Sequence, residues 1–379
     1  MKNIGYSDDD LSLILSSYPI HTYDEATLLY LVKNLVLYFH RNTLSNEDII
    51  RITTKIPSIL TMSIENIKIR VNELLEYDFN KLEIFQMIKN YPYVIDMSIE
   101  KIKNKIQFLK DLGFTSSQVV SLLLQRTSLL NQSNGIIHNR ISFFQDFGYD
   151  MVEIISMIAA RHELIDCQAS SLLERIQEVK AFGLTDQEFI KLSVNLPDIF
   201  LFEREEIQAK IKLLEDCSLS PQVILFLIKK IPMIVKEQYL EKVKDNLENI
   251  ERLGFSNQDI EKLILKNPYI LLFDKDTISS NFKNFIHFSF YHKEVTQMVT
   301  ATPLLLTYNK EEMKKRLQFF KKKDLLELVK EHSKLLLFPL ELIEGRYERI
   351  EDGNYRDLYL SDILFYQKYH LKREEILGR

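Results

Sequence analysis

The chain has 379 residues, 46% hydrophobic and 27% charged, with only 9 glycines and 9 prolines. That balance excludes wholesale disorder, and so few glycines exclude a hairpin-rich β-sandwich or a set of glycine-rich phosphate loops. With 49 Lys and Arg against 54 Asp and Glu, the formal net charge is −5, so the global basic footprint of a dedicated nucleic-acid binder is missing.

In chain order, the first element is a helix opening at Ser7 with Asp8, Asp9 and Asp10. An acidic start without an apolar core is neither a secretory signal nor an Arg-rich transit peptide, and the expected location is cytoplasmic. Pro19 begins a proline series that becomes regular at Pro57 and continues through Pro92, Pro197, Pro232, Pro268 and Pro303. The gaps after Pro57 are 35, 105, 35, 36 and 35; the gap of 105 is three periods, and Thr127 and His162 fill the skipped positions. Twelve residues ahead of each stand Ser7, Ser45, Asn80, Thr115, Asp150, Thr185, Ser220, Ser256 and Tyr291. Eight of these nine are good N-cap types. Seven carry Asp, Glu or Gln three residues later, a capping box that Val223 and Tyr291 spoil in the other two units. Gly113, Gly148, Gly183 and Gly254 stand two before the cap, where a preceding helix ends in a left-handed turn.

Each unit is therefore predicted to run a first helix of about nine residues, which breaks near the proline into a short 3₁₀ turn. An apolar pair follows the break, as in Val94-Ile95 or Ile270-Leu271, and plugs the core. A second helix then starts with an acid such as Glu65, Glu100, Glu205 or Glu311, favoured by the helix dipole. Stripes such as Ile67/Val71/Leu74 and Ile207/Ile211/Leu214 bury one face, and one unit cannot cover that face alone. The expected fold is all-α: a single solenoid of about nine repeats over 1–379. Residues 1–41 are its N-terminal capping repeat, 42–320 the regular repeats, 321–350 a shortened last repeat and 351–379 a C-terminal cap.

The period, the proline with its Leu/Ile pair, and the unit Leu253-Gly254-Phe255-Ser256 through Pro268-Tyr269-Ile270-Leu271-Leu272 resemble the mitochondrial transcription termination factor (mTERF) family. The end Phe338-Pro339, followed by a helix with Arg346 and Arg349, is similar to that family's closing motif. The resemblance covers roughly residues 5–350. It implies stacked repeats of two α-helices and a 3₁₀ turn in a curved superhelix. It also implies double-stranded DNA or RNA bound along a basic concave face, with a role in transcription, its termination or RNA metabolism. The acidic balance and absent targeting segment point to a non-mitochondrial, bacterial-type relative.

Catalytic chemistry finds no motif. The eight histidines form no His-Glu-x-x-His or His/Cys cluster, Cys167 and Cys217 are too few for a disulfide scaffold or zinc module, and no Gly-x-Ser-x-Gly occurs. A binder without cofactor, metal, small-molecule substrate or membrane span is expected, most simply a monomer.

The informative polar feature is a column in the second helices: Arg70, Lys105, Arg140, Arg175, Lys210, Asn246, Asn281, Arg316 and Arg346. The seven basic members are the candidate phosphate contacts, a ladder with one step per helix layer of ~10 Å. The alternative is that they complete an acid-then-base dipole pattern and cover apolar neighbours with their stems. A second, less regular basic set, Lys55, Arg126, Arg161, Lys230 and Lys266, reads as solvated helix ends. Tyr93, Tyr269, Phe143 and Phe319 are expected in the core, and Lys321-Lys322-Lys323 in a solvated turn. The competing function is a protein-binding helical scaffold, which the acidic balance favours.

Overall fold

The computed structural model describes residues 2–369. Among them, 21 α-helices occur with short 3₁₀ turns between the two helices of each repeat, and no strand occurs. The part of the expected C-terminal cap beyond residue 369 lies outside the described residues. Two compact units emerge, Met1–Gln177 with Pro197–Leu201, and Glu178–Leu196 with Phe202–Arg379. The repeat runs through both.

Every regular repeat has a ten-residue first helix, as in Asn46–Lys55, Lys81–Asn90, Pro221–Lys230 and Asn257–Lys266. The predicted caps form. Ser7, Ser45, Asn80, Thr115, Asp150, Thr185 and Ser256 each accept from the backbone three residues on, and the acid or Gln there accepts back. Each cap contributes about 1 kcal/mol. The two spoiled boxes are repaired differently. Glu294 still accepts from Tyr291 N at 2.7 Å. Ser220 N, whose own unit offers only Val223, donates to Glu261 Oε1 of the following first helix at 2.7 Å.

The first helix stops at the proline column because its apolar pair is better buried than exposed. In Pro92–Ile95, Val94 and Ile95 are 0% and 2% exposed, and in Pro268–Leu272, Ile270 and Leu271 are both 0%. Thr127, where proline is missing, turns its hydroxyl back to Leu123 O at 2.7 Å and the turn still forms. Second helices such as Ile64–Leu75, Ile99–Asp111, Lys275–His287 and Lys310–Lys322 bury the predicted stripe. The chain then turns through one left-handed residue two before the next cap. Glycine holds it at Gly113, Gly148, Gly183 and Gly254, but Thr43, Asp78, Ser218 and Ser289 adopt it too.

Within each unit, first helices such as Asn46–Lys55 and Lys81–Asn90, or Pro221–Lys230 and Asn257–Lys266, pack on one another, as do second helices such as Ile64–Leu75 and Ile99–Asp111, so one layer supplies the wall its neighbour needs. The last repeat shortens to Leu326–Glu331, Ser333–Leu337 and Leu340–Tyr347. Tyr355–Tyr359 and Asp362–Lys368 close it, with Leu358 and Phe365 both fully buried.

Candidate nucleic-acid interface

The column in the second helices lies at the seam between layers. Arg70 Nε donates to Ile95 O at 3.2 Å and Lys105 Nζ to Gln132 O at 2.7 Å. Asn246 Nδ2 reaches Leu271 O and Phe273 O, both at 2.9 Å; Asn281 Nδ2 reaches Leu306 O and Tyr308 O at 3.0 and 2.8 Å. Arg316 Nε donates to Phe338 O at 2.6 Å, and Arg346 Nη1 to Leu358 O and Leu360 O at 2.8 and 2.7 Å. The recipients repeat: they are the carbonyls at the exit of the next repeat's 3₁₀ turn, which no helix satisfies. The column is therefore a set of donors, which is why Asn substitutes for Lys and Arg while Asp and Glu never appear.

Burial follows that role. Lys105, Lys210, Arg316 and Arg346 are 4%, 6%, 4% and 2% exposed. Three of these charges meet a carboxylate, while Lys105 meets only the neutral acceptors Gln132 O and Asn134 Oδ1. Lys210 pairs with Glu206 and lies over the Phe202 ring; Arg316 pairs with Glu312 and lies over Tyr308; Arg346 pairs with Asp362 between Phe338 and Phe365. Burial, followed by the charge of Lys101, pushes the Lys105 ammonium below its ordinary value. Arg70, Arg140 and Arg175 are half-buried; Arg70 also pairs with Glu73, and Arg140 donates to Gln132 Oε1 at 2.7 Å. A phosphate contact by Lys105, Arg316 or Arg346 would strip carbonyls of their donors, and one by Lys210 would break its pair with Glu206.

The second basic set divides. Arg126 and Arg161 are not solvated helix ends: Arg126 pairs with Glu163 and Asp166, and Arg161 with Asp198. Lys55, Lys230 and Lys266 are exposed, as expected. Lys266 lies in a cleft between Asn257–Lys266 and His292–Ala301, beside Lys262 and Lys293. Among the described residues none of these three has an ion-pair partner, and the cleft's one carboxylate, Asp259, is engaged in the Ser256 cap. Lys262 and Lys293 carry no signal in the proline register, so the sequence reading missed them.

Two expected core aromatics are exposed. Tyr93 and Tyr269 show 46% and 57% of their surface, because each occupies the second position of its turn while the next two residues fill the core. Phe143 and Phe319 are half-buried against Phe144 and Phe320. Lys321, Lys322 and Lys323 are exposed at the end of Lys310–Lys322. His162, in the proline column, contacts Ser121 Oγ through Nε2 at 3.2 Å. Among the described residues no group of three His, Cys, Asp or Glu is placed to hold a metal, and no helix is long and apolar enough to cross a membrane.

A repeat of helix, 3₁₀ turn and helix, locked by a donor column at the turn exit, is matched by the mTERF family model over residues 1–208 and 200–369. The chain belongs to the mTERF family. No curated protein matches it. Both compact units thus consist of mTERF repeats, and the seam donors and the lysine cleft are features of that repeat array.

Proposed function

We propose that this mTERF-family chain is a non-enzymatic nucleic-acid-binding repeat protein acting in transcription, its termination or RNA metabolism. The observation that carries the reading, beside the family match over both units, is the cleft of Lys262, Lys266 and Lys293, whose charges face solvent without a carboxylate partner among the described residues. Unpaired ammonium groups gathered on one face are what a polyphosphate requires from a protein that is acidic overall. Of the seam column, the half-buried Arg70, Arg140 and Arg175 add phosphate contacts in this reading. Lys105, Arg316 and Arg346 hold the layers together, and Lys210 is taken by Glu206.

The test is a gel shift with duplex and single-stranded DNA and RNA over a range of salt. Binding that weakens linearly in log–log form as salt rises supports the reading. No binding of any of the four at low salt overturns it in favour of a protein-binding scaffold.

A further inference from the structure

The turns of the second unit carry exposed side chains that neither the core nor the donor column uses, and one of these turns directly follows the helix of Lys262 and Lys266. In three consecutive turns of the second unit, the residue after the proline is Met233, Tyr269 and Leu304, exposed by 41%, 57% and 50%. Lys262 and Lys266 stand at i and i+4 on one side of Asn257–Lys266, and Tyr269 follows Lys266 by three residues in the adjoining turn, within reach of the same strand. Lys266 donates to Thr300 O and Ala301 O at 2.7 and 3.3 Å. Those bonds fix its ammonium at the end of the next first helix and leave its third hydrogen available.

We propose that this edge binds single-stranded nucleic acid, with backbone phosphates on Lys262, Lys266 and Lys293 and a base stacked on Tyr269, flanked by Met233 and Leu304. The inference rests on the nucleic-acid reading above and narrows it to a strand type and a face. Phosphates alone would be met by the lysines whether the ligand is duplex or strand. The exposed ring decides, because bases in a duplex are already stacked on each other, whereas an unpaired base offers its face to an aromatic side chain.

The experiment uses the full chain with fluorescent oligo-uridylate, oligo-thymidylate and a mixed-sequence duplex, read by anisotropy over a salt series. Tyr269→Leu should weaken single-strand binding by about fivefold to a hundredfold, and Tyr269→Phe should keep it, because stacking needs the ring and not the hydroxyl. The triple variant Lys262→Gln, Lys266→Gln, Lys293→Gln should flatten the salt slope by about 0.7 for each phosphate left without its lysine, near 2 in all. Lys321→Gln, Lys322→Gln, Lys323→Gln removes the same charge elsewhere and should change binding far less. Helical circular dichroism confirms that each exposed-site variant is folded. If the unsubstituted chain binds nucleic acid but Tyr269→Leu binds as tightly, or the two triple variants weaken equally, this face is wrong and the broader reading stands. If it prefers duplex to strand, the strand assignment is overturned. If it binds neither, the nucleic-acid reading itself falls.

Discussion

In the first unit the residues that follow the proline column are Ser58, Tyr93, Ser128, Glu163 and Asp198; in the second they are Met233, Tyr269, Leu304 and, in the shortened repeat, Lys334. The neighbouring bases differ to match. Arg51 and Lys89 share Asp48, Arg126 takes Glu163 and Asp166, and Arg161 takes Asp198, so the first unit neutralises most of its edge. The second leaves Lys230, Lys262, Lys266 and Lys293 without carboxylate partners among the described residues, and its turns expose Met233, Tyr269 and Leu304. One backbone pattern thus carries two surfaces. The turn dictates which position faces out but not what occupies it: the first unit sets the acids Glu163 and Asp198 there beside its arginines, and the second sets none.

The seam column draws the opposite contrast. In the first unit it is cationic and half-buried at Arg70, Arg140 and Arg175, with Lys105 buried. In the second its most enclosed regular positions, Asn246 and Asn281, are 1% and 0% exposed and carry no charge. Burying a cation without compensation is costly; the buried cations of the second unit each have a carboxylate and a ring, and where none is within reach an amide does the work. The largest expected effect follows. Asn281→Asp would aim a carboxylate at Leu306 O and Tyr308 O and should cost about 3–5 kcal/mol, the range for an uncompensated buried charge. Urea denaturation measures it, and a loss below about 1 kcal/mol would show that the amide's bonds do not hold the seam.

Lys105→Met comes next. It keeps the stem but leaves Gln132 O and Asn134 Oδ1 without their donor, and should cost about 1–3 kcal/mol. Its salt slope for nucleic acid should be unchanged, because the ammonium faces carbonyls. A flattened slope with unchanged stability would restore Lys105 to the phosphate ladder.

The repeat, its caps and its turns were legible because they are local: an N-cap oxygen, an acid three residues on and a proline twelve residues from the cap are short-range chemistry. The column was legible as a register but its purpose was not. Arg70 and Ile95 lie 25 residues apart, and nothing in the sequence around Arg70 says that a carbonyl will wait there. Tyr269 was misjudged for a related reason. Hydrophobicity places a tyrosine among Pro268, Ile270 and Leu271 in the core, whereas the pitch of a 3₁₀ turn puts it outside. The Glu261 bond to Ser220 N could be found only by stacking the layers.

Acid sensitivity should be common to both units, since each clips consecutive first helices by the same pair. Asp48 meets Lys89 in the first unit and Glu188 meets Lys229 in the second, in each case an acid from a capping box. The Lys229 hydrogen bond, followed by the Thr185 backbone, holds the Glu188 carboxyl at about 2 instead of 4.5. A lowered folded-state value contributes stability that is complete above about pH 4.5 and is lost as pH falls toward about 2. Glu188→Gln should therefore lower the melting temperature at neutral pH and flatten its decline across that window. An unchanged decline would show that the pair is open in solution.

The smallest effects concern the left-handed residue between repeats, where the units can be compared one substitution at a time. Thr43 in the first unit has φ 70°, and Ser218 in the second has φ 60°. A β-branched side chain is the more strained of the two there. Thr43→Gly removes a strain of roughly 1–2 kcal/mol and adds an unfolded-chain entropy cost of about 0.5–1 kcal/mol, so stability should rise by about 0.5–1 kcal/mol. Ser218→Gly should gain less, because its unbranched side chain is less strained. Gly254→Ala should go the other way and cost more than either gains: φ is 84°, and a Cβ there would run into the His292 ring at the start of His292–Ala301, one repeat further on. Thermal melts of the three variants rank them, and a Gly254→Ala variant as stable as the natural chain would mean that the His292 ring does not pack over this turn.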